Sequence, residues 1–425
     1  MKKICLEMTE LHQGQGSGMI QRGNDPERHQ DDANSVENVY SESLVGEGIC
    51  GVLWVHCASV GEFEQARPII EGYKEKNGEA KIVVTFFSPS GYELRKNYPL
   101  ADKVFYLPMD THRNAVRFIE TVKPTTAIFI KYEFWRNYLA VLKQRKIPTY
   151  LVSGIFREDQ RFFKWWGGSF RRMLSAFTHF FIQDDKSLEL LNSVGLSNTT
   201  VSGDTRFDRV YKVAQESKDI KIVADFIADA TTPVIIVGSS WTADEEIISA
   251  GRLKLPLFKL VVAPHEIGER HLGKLNELFG GQSIARYTAI EKSNNKETDN
   301  DENYDSQLSA GKVLVVDTIG LLSSIYKYGS IAYIGGGFGA GIHNILEAAV
   351  YGIPVVFGPK YHKFKEARDL IALGGAFFVS NGEEYLIIME KLLSNEPFRK
   401  ESGAICKKYV EDNLGATGRI LEQVL

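Results

Sequence analysis

Two glutamates stand out by where they fall. Glu62 and Glu133 each follow an apolar run, GVLWVHCASV (51–60) and TTAIFI (125–130), just where a helical pattern begins. A carboxylate at the C-terminal edge of a sheet can act as a general base once its environment tunes it. The same position also suits a carboxylate that complements a helix N-terminus, and both readings stand for Glu62. For Glu133, in IKYEFWRNYL, the competing reading is helix capping with Trp135 and Tyr138 as core aromatics. Two carboxylates at one edge could form a base and the partner that orients it. Ser59 and Gly61 belong to the small-residue turn before Glu62.

A second chemistry is suggested by glycine. In YIGGGFGAGIHNILEAAVYGIPVVFGP (333–359) an apolar run enters a turn holding Gly335, Gly336, Gly337, Gly339 and Gly341, and a helix is expected from 343 to 351. Such a turn lets backbone approach a ligand, and a helix N-terminus offers N–H groups to a phosphate. Asn344 and Glu347, three apart, would share a helix face, where a carboxylate suits a ribose diol. A tight packing turn is the alternative. Gly238, Ser239 and Ser240 follow another apolar run, as either a second phosphate loop or plain capping, and Pro264 and His265 follow a third. His265, Arg270 and His271 could face the same ligand, although a lone histidine of this kind is more often structural. A third feature, FREDQRFFKWWGGSFRRML (156–174), interleaves Arg161 and Lys164 with Trp165, Trp166 and several phenylalanines. That mix fits stacked bases, a lipid headgroup interface, or a core helix with snorkelling charges. HExxH, a Walker lysine after a glycine loop and GxSxG are all missing from the sequence, so no metal and no cofactor is expected.

Such side chains need a frame to hold them. Strand-like runs at 51–60, 81–87, 104–108, 125–130 and 149–155 alternate with helical patterns at 112–122 and 133–145. A second series follows at 233–240, 258–264, 312–318, 331–337 and 353–358. Alternation of this kind implies βαβ units, an α/β class and mostly parallel sheets. The expected organisation is a polar, disordered segment 1–50, a first Rossmann-like domain 51–215 and a second 225–425. The boundary is placed in the polar stretch 210–232, and 288–308 is read as an acidic, solvated insertion.

With 425 residues, 44% hydrophobic and 24% charged, the chain is an ordinary globular one with room for two cores. Segments 1–50 and 291–305 carry net charges of −5 and −4, so the rest stands near +5 although the whole is −4. A body of that sign is compatible with anionic ligands. Cys5, Cys50, Cys57 and Cys406 are too few and too scattered for a disulfide scaffold. No run approaches the roughly 18 apolar residues of a spanning helix, and the N-terminus lacks the apolar core of a secretory signal. A cytoplasmic location is the default.

From residue 51 onward the chain resembles the Kdo (3-deoxy-D-manno-octulosonic acid) transferases of lipopolysaccharide synthesis, in particular a Bacteroidetes-like branch. The resemblance rests on WVHCASVGE, TFFSPSGYE, YLPMDT, KYEFWRN, GDTRFDRV, APHEIGER and GIHNILEAAVYGIPVVFGP, in that order. It implies the GT-B architecture, two Rossmann-like domains facing a central cleft. It implies inverting, metal-independent transfer of Kdo from CMP-Kdo to a lipid A precursor (lipid IVA). Glu62 matches the family's general base and Glu133 a second required glutamate. Asn344 and Glu347 match residues around the CMP ribose, and the glycine turn matches the phosphate site. Gly238, Ser239, Ser240, Pro264 and His265 are assigned to the nucleotide. Ser59, Gly61, Arg161, Lys164, Trp165 and Trp166 are assigned to the acceptor. The partners implied are donor, lipid acceptor and membrane surface, with no nucleic acid. The expected location is the cytoplasmic face of the inner membrane, held peripherally. Two departures mark this chain. Residues 1–50 are polar where the family usually carries an anchoring helix, and His265-Glu266 replaces the Arg-His that many relatives carry after Ala-Pro. An enzyme of the same architecture acting on another nucleotide sugar, as transferase or epimerase, is the rival reading, and a non-enzymatic nucleotide-binding module is a second.

Overall fold

The computed structural model describes residues 51–228, 232–280, 284–294 and 313–425. The segment 1–50 and most of the acidic insertion lie outside these. Two compact units divide the chain: residues up to Thr205 together with Gly415–Leu425, and residues Arg206–Leu414.

The first unit is built on seven parallel strands: β1 (Val52–Cys57), β2 (Lys81–Phe86), β3 (Lys103–Tyr106), β4 (Thr126–Ile130), β5 (Thr149–Gly154), β6 (His179–Ile182) and β7 (Thr199–Val201). Their spatial order is β3-β2-β1-β4-β5-β6-β7. Every residue of β1 is buried, as a strand covered on both faces requires. Trp54, Phe118, Phe129 and Tyr138 fill one side of the sheet, and Leu53, Val55, Phe63, Ile69 and Ile70 the other. The chain winds from β1 out to β3, then returns to place β4 beside β1, so the winding reverses between β1 and β4.

The second unit repeats the scheme with β8 (Val234–Ser240), β9 (Lys259–Pro264), β10 (Ile284–Arg286), β11 (Val313–Val315), β12 (Ile331–Ile334), β13 (Val355–Phe357) and β14 (Ala376–Phe378). Its order is β10-β11-β9-β8-β12-β13-β14, again all parallel, and the reversal falls between β8 and β12. Ligands of open parallel sheets bind beyond the strand C-termini at such reversals.

The domain limits differ from 51–215 and 225–425. Phe207, Val210, Ile220, Val223 and Phe226 all enter the second unit's core, so the polar stretch forms two helices, Thr205–Gln215 and Lys221–Ile227, instead of a linker. The last helix, Ala416–Val424, returns to the first unit, where Ile420, Leu421 and Val424 pack among its core residues. Residues 288–294 are helical, within Tyr287–Asn294, because Tyr287 and Ile290 turn the same way into the core. Among the described residues no helix is long and apolar enough to cross a membrane.

Candidate functional site: two switch-point constellations

In the first unit both glutamates sit where the winding reverses. Glu62 lies in the first turn of the helix Val60–Lys76, directly after β1. Its Oε2 accepts the Ser59 backbone N–H at 3.0 Å and also the Ser59 hydroxyl. The capping role anticipated for Glu62 is therefore real, and it fixes one carboxylate oxygen while the residue stays half-buried. Glu133 follows β4, the strand paired with β1. The expected helix over 133–145 starts only at Arg136. Asp110 accepts the Asn137 N–H at 3.0 Å at the true helix start. Lys131 takes a left-handed backbone at φ 64°, making 131–135 a turn. That turn directs Glu133 inward, where Oε2 accepts Trp135 Nε1–H at 2.6 Å and faces His56 Nε2 at 3.3 Å. Both carboxylates act on the buried Cys57, whose thiol is pushed up first by burial and then by Glu62 and Glu133.

The basic–aromatic stretch follows β5, the neighbour of β4, and so leaves the sheet at the same edge. Phe156 and Phe162 are buried, whereas Trp165 is 91% and Trp166 49% exposed. The stretch is no core helix: a short 3-10 turn, Arg161–Phe163, precedes the helix Gly168–Leu174. Arg171 ties the turn together by donating to the Phe162 and Lys164 carbonyls. Arg161 lies over the Phe170 ring at 5.5 Å. Lys164 is half-buried.

In the second unit the loops after β8, β9 and β12 converge. Asp244, buried in the first turn of the helix Thr242–Arg252, accepts Tyr333 Oη–H at 3.0 Å, Gly336 N–H at 2.9 Å and Trp241 N–H at 3.0 Å. Burial raises its carboxyl above the usual range, against those three donors. Ser240 donates to Glu245, which also meets His271 at 3.0 Å. His271 thus turns inward, whereas His265 is exposed. His265 stacks between Trp241 (4.4 Å, 25°) and His343 (4.7 Å, 28°), and Trp241 Nε1–H donates to His343 Nε2 at 3.2 Å. Pro264 ends β9 just before this stack, and Ser239 holds a left-handed φ of 53°.

The glycine turn is mostly a packing device. A Cβ on Gly335 would lie 2.3 Å from the Ser239 carbonyl oxygen, and one on Gly337 2.5 Å from Gly358 Cα. A Cβ on Gly238 would strike the Tyr326 hydroxyl. The N–H groups of Gly339 and Gly341 both donate to the Gly336 carbonyl. Gly339 alone is open, with 3.5 Å to the nearest atom. The helix expected over 343–351 shrinks to Leu346–Ala349. Asn344 Oδ1 accepts the Leu346 N–H at 3.2 Å, an alternative to helical bonding, so Asn344 precedes the helix instead of sharing its face. Asn344 still meets Glu347, donating from Nδ2 at 3.0 Å.

Sequence reasoning passed over His56, Trp241, Asp244 and His343. The first lies within WVHCASVGE and the last within GIHN, so the motifs contained both. Asp244 was signalled only by its place in a helix's first turn, which many surface carboxylates share.

A family model described as 3-deoxy-D-manno-octulosonic-acid transferase (kdotransferase) matches residues 25–209. A 3-deoxy-D-manno-octulosonic acid transferase of Aquifex aeolicus is 30% identical over 81% of this chain and 86% of its own. The chain belongs to the Kdo transferase family. A Bordetella pertussis transferase of the same name is 25% identical over 87% of this chain and 86% of its own. Among solved structures, the UDP-GlcNAc 2-epimerase of Neisseria meningitidis superposes with a TM-score of 0.59 at 17% identity, covering 88% of this chain and 99% of that one. MurG of Acinetobacter baumannii gives 0.54 at 12% identity, over 88% and 98%. Those likenesses establish the GT-B fold, and membership of the Kdo transferases makes the protein a glycosyltransferase.

Proposed function

We propose that this Kdo transferase moves Kdo from CMP-Kdo to a hydroxyl of a lipid A precursor, lipid IVA, with inversion. The observation that carries the reading is the pair Glu62 and Glu133 on loops leaving neighbouring strands at the first sheet's reversal point. In the proposed step the acceptor oxygen attacks the anomeric carbon of Kdo. The bond from that carbon to the cytidylate oxygen breaks, its electron pair leaves with CMP, and the hydroxyl proton passes to Glu62. One displacement with one base inverts the centre and needs no covalent intermediate. Glu133 orients the reacting groups as the second carboxylate.

The donor is assigned to the second unit. The phosphate is assigned to the loops that carry Gly337, Gly339, Gly341, Gly238, Ser239 and Ser240, where Gly339 is the open position and Gly238, Gly337 and Ser240 are packed; Pro264 and His265 border the nucleotide, and Asn344 and Glu347 take the ribose. The acceptor is assigned to Ser59, Gly61, Arg161, Lys164, Trp165 and Trp166. Two exposed tryptophans beside cations suit an anionic, acylated molecule at the boundary between water and lipid. That chemistry supports a peripheral place at a membrane surface, assigned to the cytoplasmic face of the inner membrane.

The test is transfer of labelled Kdo from CMP-Kdo to tetraacyl lipid A bisphosphate, with a chelator present throughout. Glu62→Gln should lower turnover by about 10²–10⁴-fold, the range of general-base catalysis, while CMP still binds. Replacing Arg161, Lys164, Trp165 and Trp166 together by alanine should weaken lipid A binding without lowering the melting temperature. Wild-type turnover in Glu62→Gln would remove the base assignment. Inhibition by UDP in place of CMP would favour the rival, an enzyme acting on another nucleotide sugar.

A further inference from the structure

Strand β1 carries a buried polar line that ends on Glu133. Trp54 and His56, two apart on one face of the strand, are both fully buried, as is Thr85. Thr85 lies on β2 directly opposite His56 in the parallel register. Trp54 Nε1–H donates to Thr85 Oγ1 at 2.8 Å, and Thr85 Oγ1 lies 2.9 Å from His56 Nδ1. His56 Nε2 in turn lies 3.3 Å from Glu133 Oε2. Phe129 and Trp135 pack edge-on against the imidazole at 5.8 and 5.1 Å and hold its plane.

We infer that His56 is a positioning residue for the transfer reaction, fixing the orientation of the Glu133 carboxylate. The inference rests on the reading of Glu133 as the second carboxylate of that reaction.

The direction of every bond follows from its ends. An indole N–H only donates, so Thr85 Oγ1 accepts from Trp54 and has its own proton to give. A carboxylate only accepts, so Nε2 of His56 carries the ring proton. In the tautomer with its proton on Nε2, His56 accepts the Thr85 hydroxyl at Nδ1 and donates from Nε2 to Glu133. The donors all point one way, and the line ends at a tryptophan, which does not release its proton at working pH. The inner end of the line is buried, with no exit to solvent, so its effect on Glu133 is orientation. Trp135 Nε1–H donates to the same Oε2 at 2.6 Å. Two ring donors thus pin one carboxylate oxygen. Among the described residues no hydrogen bond reaches Oε1, which is left for a substrate hydroxyl. A core histidine satisfied by any acceptor would need neither a buried threonine at its far nitrogen nor a second indole on its partner.

The experiment compares His56→Leu, His56→Gln, Trp135→Phe and Glu133→Gln in the Kdo-transfer assay, with melting curves for each. His56→Leu should lower kcat by about 10–100-fold, the usual cost of losing a group that orients a functional ligand, with KM for CMP-Kdo unchanged. His56→Gln loses the same ring packing but keeps an amide N–H near the place of Nε2, so it should recover most of the kcat despite a similar melting temperature. Trp135→Phe keeps the ring and removes the second donor. It should lower kcat about tenfold with little change in melting. Equal loss in His56→Leu and His56→Gln would reduce His56 to a packing residue and overturn the inference, as would wild-type kcat in a folded His56→Leu. If His56→Leu fails to fold, wild-type kcat in Trp135→Phe overturns it instead. Wild-type kcat in Glu133→Gln strikes the reading of Glu133 itself, a different failure from the others.

Discussion

At the scale of single residues, the triple stack of Trp241, His265 and His343 ties stability to pH. Burial, and next the neighbouring His265, hold the His343 imidazole below its ordinary value of 6.5. The unfolded chain therefore binds a proton at a higher pH than the folded one does. Stability then rises with pH between the two values and falls on acidification from about pH 7 through 6.5, levelling off below the folded pKa. His343→Gln should flatten that part of the profile, measured as melting temperature against pH from about 7 to 5. An unchanged slope would assign it elsewhere. The sequence displayed the two glutamates plainly because each stood alone after an apolar run. His56 was legible only as a strand residue, since a register that sets it opposite Thr85 is a property of pairing and not of spacing. The stack was illegible for the same reason: its three rings come from loops after three different strands.

At the scale of elements, the long central strands were legible, but the three-residue edge strands β10 and β14 of the second sheet and the turns that shape the site were not. Runs such as VLWVHC and KIVVTF are continuous and apolar, as two-sided burial demands. The turns at 131–135 and 335–345 are governed by side-chain hydrogen bonds and left-handed backbone, which periodicity does not register. The glycine loop makes the difference testable. Gly335→Ala forces a methyl against the Ser239 carbonyl and should cost about 1–3 kcal/mol, the range for overpacking, read as a lower melting temperature. Gly339→Ala meets nothing closer than 3.5 Å and should leave melting unchanged. If the nucleotide approaches the backbone at Gly339, the same variant should weaken CMP binding in calorimetry. Unaltered affinity would take Gly339 out of the donor site.

At the scale of the whole molecule, two parallel sheets were legible from two series of alternating strands and helices, and so was the α/β class. The boundary was not, because polar content between 206 and 227 concealed Phe207, Val210, Val223 and Phe226, the residues that commit it to the second core. Nor was the return of the last helix, since its apolar face, Ile420, Leu421 and Val424, fits any core equally well on paper. In the fold it is held by more than burial: Arg419 donates to the Ser202 carbonyl at 2.7 Å, and Tyr150 Oη–H to the Gln423 carbonyl at 3.4 Å. Ile420→Ala should destabilise the first unit by about 2–5 kcal/mol and leave the second untouched, seen as a downward shift of one transition in a two-step denaturation. A shift of the second transition instead would contradict the placement. The order of synthesis gives this return a further meaning. All seven strands of the first sheet leave the ribosome before residue 202, but the helix that covers part of one face is translated only after residues 206–414. A nascent chain can complete its later unit while its earlier one still exposes apolar surface. A stop codon after residue 414 would thus yield a chain with its second fold intact and its first left open to proteolysis.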